Sequence, residues 1–215
     1  MKDRKITEDI DMLIKRYPQL RVVRSSFETA YEIVEDTYTK GGKMMIAGNG
    51  GSAADSEHIA GELMKKFRKP RPIDPELAER LVNIDKIEGR LLAERLEKPL
   101  TAIPLVAHEA LSTAYLNDVD GEGIFAQQLL GIGKKGDVFL AISTSGNSKN
   151  IVSAAIVAKA MDIKVVGLTG KNGGKLAEYA DCTIKVPETE TYLIQELHLP
   201  IYHTLCIMLE NHFFS

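Results

Sequence analysis

Apolar positions in the first forty residues recur at helical spacing: Ile6, Ile10, Leu13 and Ile14, then Val23, Phe27, Ala30, Ile33, Val34 and Tyr38. Intervals of three and four place such positions on one face of a helix, so this stretch predicts two amphipathic helices. Pro18 separates them, and Gly41-Gly42 ends the second, as glycines do just past a helix. The pattern then changes. Lys43–Ala47 is a short apolar run, followed by Gly48-Asn-Gly-Gly-Ser52 and a helical pattern from Ala53 to about Phe67.

The same order of run, loop and helix repeats along the chain. Thr101–Ala107 is an apolar run, after which His108 begins a helical stretch. Asp137–Ile142 leads into Ser143-Thr-Ser-Gly-Asn-Ser148 and a helix over Ile151–Met161. Lys164–Leu168 precedes Thr169-Gly170, Gly173-Gly174 and a short helix at Leu176–Tyr179; Cys182–Val186 is the last strand, and a helix spans about Glu190 to Phe213. Strands that are apolar throughout, rather than alternating, are covered on both faces. Five of them alternating with helices predict an α/β fold with a doubly wound, five-stranded parallel sheet. Periodicity does not give the strand order.

Residues 68–99 break this rhythm. Pro70, Pro72, Pro75 and Pro99 frame a charged stretch carrying Leu77, Leu81, Ile84, Leu91 and Leu96, which predicts one or two amphipathic helices inserted after the first helix of the sheet. The chain otherwise reads as one domain over 1–215.

Composition narrows the class. The 215 residues carry 27 Lys+Arg against 30 Asp+Glu, a formal net charge of −3, and are 44% hydrophobic. That length supports a sizeable core, and the charge balance leaves no basic footprint for nucleic acid. The longest apolar runs fall far short of the roughly 20 residues that span a bilayer. The chain opens polar and charged, without the apolar core of a secretion signal, and its two cysteines, Cys182 and Cys206, form neither a disulfide framework nor a zinc spacing. A cytoplasmic globular protein is expected.

In an open parallel sheet, ligands bind beyond the carboxyl ends of the strands. Two loops stand there. Gly48-Asn-Gly-Gly-Ser52 lets the backbone approach an anion and adds a hydroxyl; Ser143-Thr-Ser-Gly-Asn-Ser148 crowds four hydroxyls at a helix start. Helix dipole, free N–H groups and hydroxyls together favour a phosphate. Ordinary capping explains one such loop, but four hydroxyls in six residues exceed what a cap needs. Gly48-x-Gly50-x-x-Ala53 also fits a loose dinucleotide fingerprint, without the acidic residue expected at the end of the next strand.

Ionisable residues gather on two helices. His58 and Glu62 are four apart and share a face, with Asp55 one turn earlier. The C-terminal helix contributes Gln195, Glu196, His198 and His203. Gln195 and His203 lie about 12 Å apart along an ideal helix, and Pro200 between them is expected to kink it. Lys65–Lys69 reads as a solvated helix end, Cys206 as core, and His212 as part of a fraying terminus.

Taken in order, Gly48–Ser52, His58-x-x-x-Glu62-Leu63, Asn117-Asp118, Gly136-Asp-Val, Ile142–Ser148, Leu168-Thr-Gly-Lys-x-Gly-Gly174 and Gln195-Glu-x-His198 followed by His203 resemble the sugar isomerase (SIS) domain family, and within it the phosphoheptose isomerases. The resemblance implies a homotetramer whose N-terminal helices, within residues 1–42, pack in a central bundle, with each site near a subunit boundary. It implies a phosphosugar held by Asn49, Gly50, Gly51, Ser52, Asn117, Asp118, Ser143, Thr144, Ser145, Ser148 and Gln195, and zinc (Zn2+) bound by His58, Glu62, Gln195 and His203. It further implies isomerisation of sedoheptulose 7-phosphate to D-glycero-D-manno-heptose 7-phosphate through an enediol, with Glu62 and His203 as the acid–base pair. Relatives that sense sugar phosphates or serve as scaffolds use the same loops without chemistry. The chain departs from the pattern in its long 68–99 segment, in Leu193 and Tyr192 where an arginine and a polar residue are common, and in Pro200.

Overall fold

A computed structural model describes residues 2–214, with side chains from Thr7 onward; Ile6, the first position of the predicted apolar face, lies outside the described side chains. The chain begins with α1 (Lys2–Arg16), a 3-10 turn (Pro18–Val23) and α2 (Arg24–Thr39). Then follow β1 (Met44–Ala47), α3 (Gly51–Met64), α4 (Pro75–Ile84), α5 (Glu88–Arg95) and β2 (Ala102–Pro104). The remainder is α6 (Glu109–Asp118), α7 (Ile124–Ile132), β3 (Val138–Ile142), α8 (Lys149–Ala160), β4 (Lys164–Thr169), α9 (Leu176–Tyr179), β5 (Cys182–Lys185) and α10 (Thr191–Phe213).

All four strand pairings are parallel, in the order β2-β1-β3-β4-β5. Alternate strand residues feed two cores. Met44, Ile46, Val138, Leu140, Ile142, Val166 and Leu168 face the layer built by α1, α2, α3 and α10. Met45, Ala47, Phe139, Ala141 and Val165 face α7, α8 and α9. The order reverses direction beside β1, between β1 and β3, so the loops after these two strands open into the crevice where parallel sheets bind ligands. They are the two loops rich in glycine and hydroxyl groups.

The 68–99 segment is a helical hairpin. α4 buries no residue and α5 buries only Gly89, so the two helices cover each other and leave Ile84 and Ile87 in solvent. Its ends are pinned together: Lys98 N donates to Arg71 O at 2.7 Å, and Pro72 and Glu97 form an antiparallel bridge. Beneath the hairpin, Arg71 and Glu210 are both 1% exposed. Glu210 accepts hydrogen bonds from Phe67 N, Arg68 N and Lys69 N, and pairs with the Arg71 guanidinium at 2.8 Å. Arg71 also donates to Leu63 O at 2.8 Å and Glu62 O at 3.3 Å, capping the end of α3. The Lys65, Lys66 and Arg68 side chains of this stretch are exposed, but its backbone is anchored on a buried carboxylate, and α3 ends at Met64 rather than near Phe67.

Two details of α10 stand out. α10 runs unbroken through Pro200, which is buried, and Thr204 Oγ1 donates to the Pro200 carbonyl. His212 is not at a frayed end: its ring meets Tyr31 Oη at 3.2 Å and Glu35 Oε1 at 3.1 Å.

Candidate functional site

The serine loop follows β3, and its backbone turns at Gly146 (φ +69°), where a side chain would collide with the Gly173 carbonyl. The loop after β4 thus braces it: Leu176 N donates to Gly146 O, and Lys175 N to Asn147 Oδ1. Ser148 occupies the N-cap position of α8, yet its side chain makes no cap hydrogen bond. Instead its hydroxyl lies 3.0 Å from Ser143 Oγ, which also accepts from Gly146 N. Ser145 Oγ accepts from Asn147 N, and Thr144 is half-buried. These hydroxyls are not spent on capping, so the helix start keeps its attraction for an anion.

The glycine loop lies alongside. Asn49 and Asn150 exchange two amide hydrogen bonds, 3.0 and 2.9 Å, which clasp the first loop to the start of α8. Ser52 is buried and opens α3. Gly51 leaves room for Gln195, since a β-carbon there would sit 2.7 Å from Gln195 Nε2. The phosphate-type chemistry of both loops is thereby gathered with Gln195. A dinucleotide is poorly served, because β2 ends at Pro104 and continues as Leu105-Val-Ala, with no carboxylate for a ribose.

A second cluster forms farther along α3 and α10, which lie side by side with matching direction: Gln195 meets Gly51, Tyr202 meets Asp55 and His58, and Glu210 meets Phe67. His58 Nε2 stands 3.4 Å from His203 Nε2 and 3.4 Å from Glu62 Oε1. Tyr202 Oη lies 3.0 Å from Asp55 Oδ1 and 3.1 Å from His58 Nδ1. Glu62 Oε2 is buried without a hydrogen bond, Lys65 Nζ being 3.6 Å away. Burial, then His58 and Arg16, lower the His203 pKa against the opposing pull of Glu62, which favours a neutral imidazole. Burial raises Asp55, opposed by its Tyr202 bond and by His58. The neighbouring His198 is fully buried; burial pushes its pKa down to about 4, against the Thr169 backbone. Beyond His203 opens a cavity of about 480 Å³ lined in part by Arg16, Tyr17, Phe67 and Arg68.

Glu62 and His203 thus belong to one cluster, joined through His58, of which only His203 lines the cavity. Gln195 does not enter it: it lies at the glycine loop, about 12 Å up α10 from His203. Asn117 and Asp118 are exposed at the end of α6, bonded to each other at 2.9 Å. Two imidazole nitrogens facing each other at 3.4 Å need a proton or a cation between them, and the orphaned Glu62 oxygen points to the same need. In kind, two histidine nitrogens and a carboxylate suit zinc. Among the described residues, however, no three His, Cys, Asp or Glu side chains converge as a preformed metal cage. Sequence reasoning missed Tyr202, Arg71 and Glu210; the buried arginine and glutamate carry no local signal, and the one available for Tyr202 is that it adjoins His203.

The SIS domain family matches residues 110–208. A phosphoheptose isomerase of Aneurinibacillus thermoaerophilus is 40% identical over 195 residues, covering 91% of this chain and 83% of that protein. One from Akkermansia muciniphila is 34% identical over 199 residues, covering 93% and 92%. A solved phosphoheptose isomerase from Francisella tularensis superposes with a TM-score of 0.75 at 28% identity, covering 98% of this chain and 99% of that one. With both loops, the His58–Glu62 turn and His203 in place, the chain belongs to the phosphoheptose isomerase family of SIS-domain proteins.

Proposed function

We propose that the protein interconverts sedoheptulose 7-phosphate and D-glycero-D-manno-heptose 7-phosphate. The observation that carries this is the meeting of Glu62 and His203 at His58, with a buried Glu62 oxygen left unbonded. A protein that only bound sugar phosphates would need the loops but has no use for that oxygen.

The hydroxyls of Ser52, Ser143, Thr144, Ser145 and Ser148, with the start of α8, hold the phosphoryl group; Asn49, Gly50, Gly51, Asn117 and Asp118 surround the sugar. Glu62 removes a proton from C1 of the ketose as O2 takes one up, leaving a cis-enediol; His203 then protonates C2 as the O1 proton is released, giving the aldose. Atoms balance within the sugar, so no redox cofactor is required. The reverse assignment of the pair works by the same geometry. General acid–base transfer of this kind contributes about 10²–10⁴-fold. Zinc would be held by His58, Glu62 and His203, and when bound supplies a Lewis acid at the carbonyl oxygen.

Ser52 and Glu62 are about 15 Å apart along α3, and Gln195 stays with the loops. A second copy that brings its own His58–Glu62–His203 cluster to these loops would close that gap, and this chain's Gln195 would then stand beside that cluster as the fourth zinc ligand. The family resemblance supports a homotetramer of this kind working in the cytoplasm. No described helix is long and apolar enough to cross a membrane.

The test is Glu62→Gln, assayed by NMR in deuterated water with sedoheptulose 7-phosphate and with ketopentose and ketohexose phosphates. Loss of at least about a hundredfold in C1 exchange and isomerisation is expected. Full activity in the variant removes Glu62 from the chemistry.

A further inference from the structure

We propose that Tyr202 is a positioning residue that fixes the ring tautomer of His58, and that Asp55 acts on His58 through it. The inference rests on the isomerase reading for its kinetic consequence, though not for its geometry.

The Tyr202 ring is 1% exposed, and its hydroxyl has two polar neighbours, Asp55 Oδ1 at 3.0 Å and His58 Nδ1 at 3.1 Å. An ionised carboxylate only accepts, so the single phenolic proton is donated to Asp55. The phenolic oxygen is then left to accept, and the group facing it must donate. His58 therefore carries its proton on Nδ1, and its Nε2 presents a lone pair. Nε2 faces His203 Nε2 and Glu62 Oε1, each 3.4 Å away. The carboxylate is itself only an acceptor, so the lone pair is matched by the His203 N–H or by a cation and not by Glu62. The lone pair can accept the His203 Nε2–H, holding the acid of the pair in place, or it can ligate a cation. Either use fails if the proton moves to Nε2. The second nitrogen of a functional histidine is commonly governed in this way by its hydrogen-bond partner. Here the control comes from a phenol interposed between carboxylate and ring, with the phenol and both histidines packed edge to face: Tyr202 and His58 centroids are 5.5 Å apart at 73°, and Tyr202 and His203 5.0 Å at 80°.

Two variants test this with opposite chemistry. Tyr202→Phe keeps the ring and removes the hydroxyl, so Nδ1 loses its acceptor. Asp55→Asn replaces an acceptor with an amide that can donate to the phenolic oxygen, turning the hydroxyl proton toward His58 Nδ1 and forcing the proton onto Nε2. The readout is the His58 tautomer, from two-bond proton–nitrogen correlations of the ring, with near-UV circular dichroism reporting the fold. In the unchanged protein Nδ1–H is expected; in Tyr202→Phe a mixture; in Asp55→Asn mainly Nε2–H. Turnover is expected to fall about tenfold or more in both variants, with KM nearly unchanged, as for loss of a histidine-orienting partner. A His58 tautomer that stays the same in both folded variants overturns the proposal, whatever their activity. If the tautomer moves but the unchanged protein isomerises no sugar phosphate, the positioning role stands and the isomerase reading falls.

Discussion

At Ser148 the hydroxyl and the helix start are uncoupled. The residue stands where a serine would cap α8, but its oxygen is turned to Ser143 Oγ. Ser148→Ala should therefore leave the melting temperature close to that of the parent, where loss of a true cap costs about 1 kcal/mol. Binding of sugar phosphate, measured by calorimetry, should weaken by roughly tenfold or more, since a hydrogen bond to a charged group is worth about 1.5–3 kcal/mol. That the serine loop does more than cap a helix was readable from its excess of hydroxyls. The meeting of His58 with His203 was implied only by the family resemblance, because residues 145 positions apart leave no local trace of one another. The placement of Gln195 is the instructive case: its family role suggested the metal cluster, and helix rise alone holds it away.

Among the elements, the strands were legible because buried parallel strands are apolar on both faces, and β1 and β3 are buried at every position. The helices over 109–132 were only half-seen. α6 buries no residue and so has no apolar face to detect, while α7 is apolar nearly all round. The inserted segment was recognised as helical, but the lock beneath it was hidden, since Arg71 and Glu210 each look like ordinary surface residues. Burial pushes the Glu210 carboxyl up, but hydrogen bonds from Phe67 N and Arg68 N and the Arg71 guanidinium outweigh it, so its pKa is lowered. A carboxylate whose folded pKa is depressed adds stability above its unfolded pKa, about 4.3, and that contribution is lost as pH falls through the folded value. Glu210→Gln should cost about 3–5 kcal/mol near neutral pH by stranding Arg71. Its unfolding free energy, from denaturant titration, should then decline less steeply than the parent's below about pH 4.3, where the parent's own advantage disappears.

The whole molecule turns on one sheet with two differently used faces. On one side α7, α8 and α9 form a plain apolar layer; on the other, α3 and α10 carry ionisable groups over a core that α1 and α2 complete. Strand order could not be read from periodicity, because crossover connections rather than strand composition decide which strands are neighbours. Once known, it explains why two loops 95 residues apart in sequence, beginning at Gly48 and Ser143, are adjacent in space.

The pinned base of the hairpin also decides what happens when the chain is cut. Lys86 is exposed at the tip between α4 and α5, while Arg71, Lys98 and Glu210 hold the stem. Brief trypsin treatment should nick the chain there. Two fragments should then appear on a denaturing gel, yet elute together in native buffer as a complemented pair, since the scission severs no strand of the sheet.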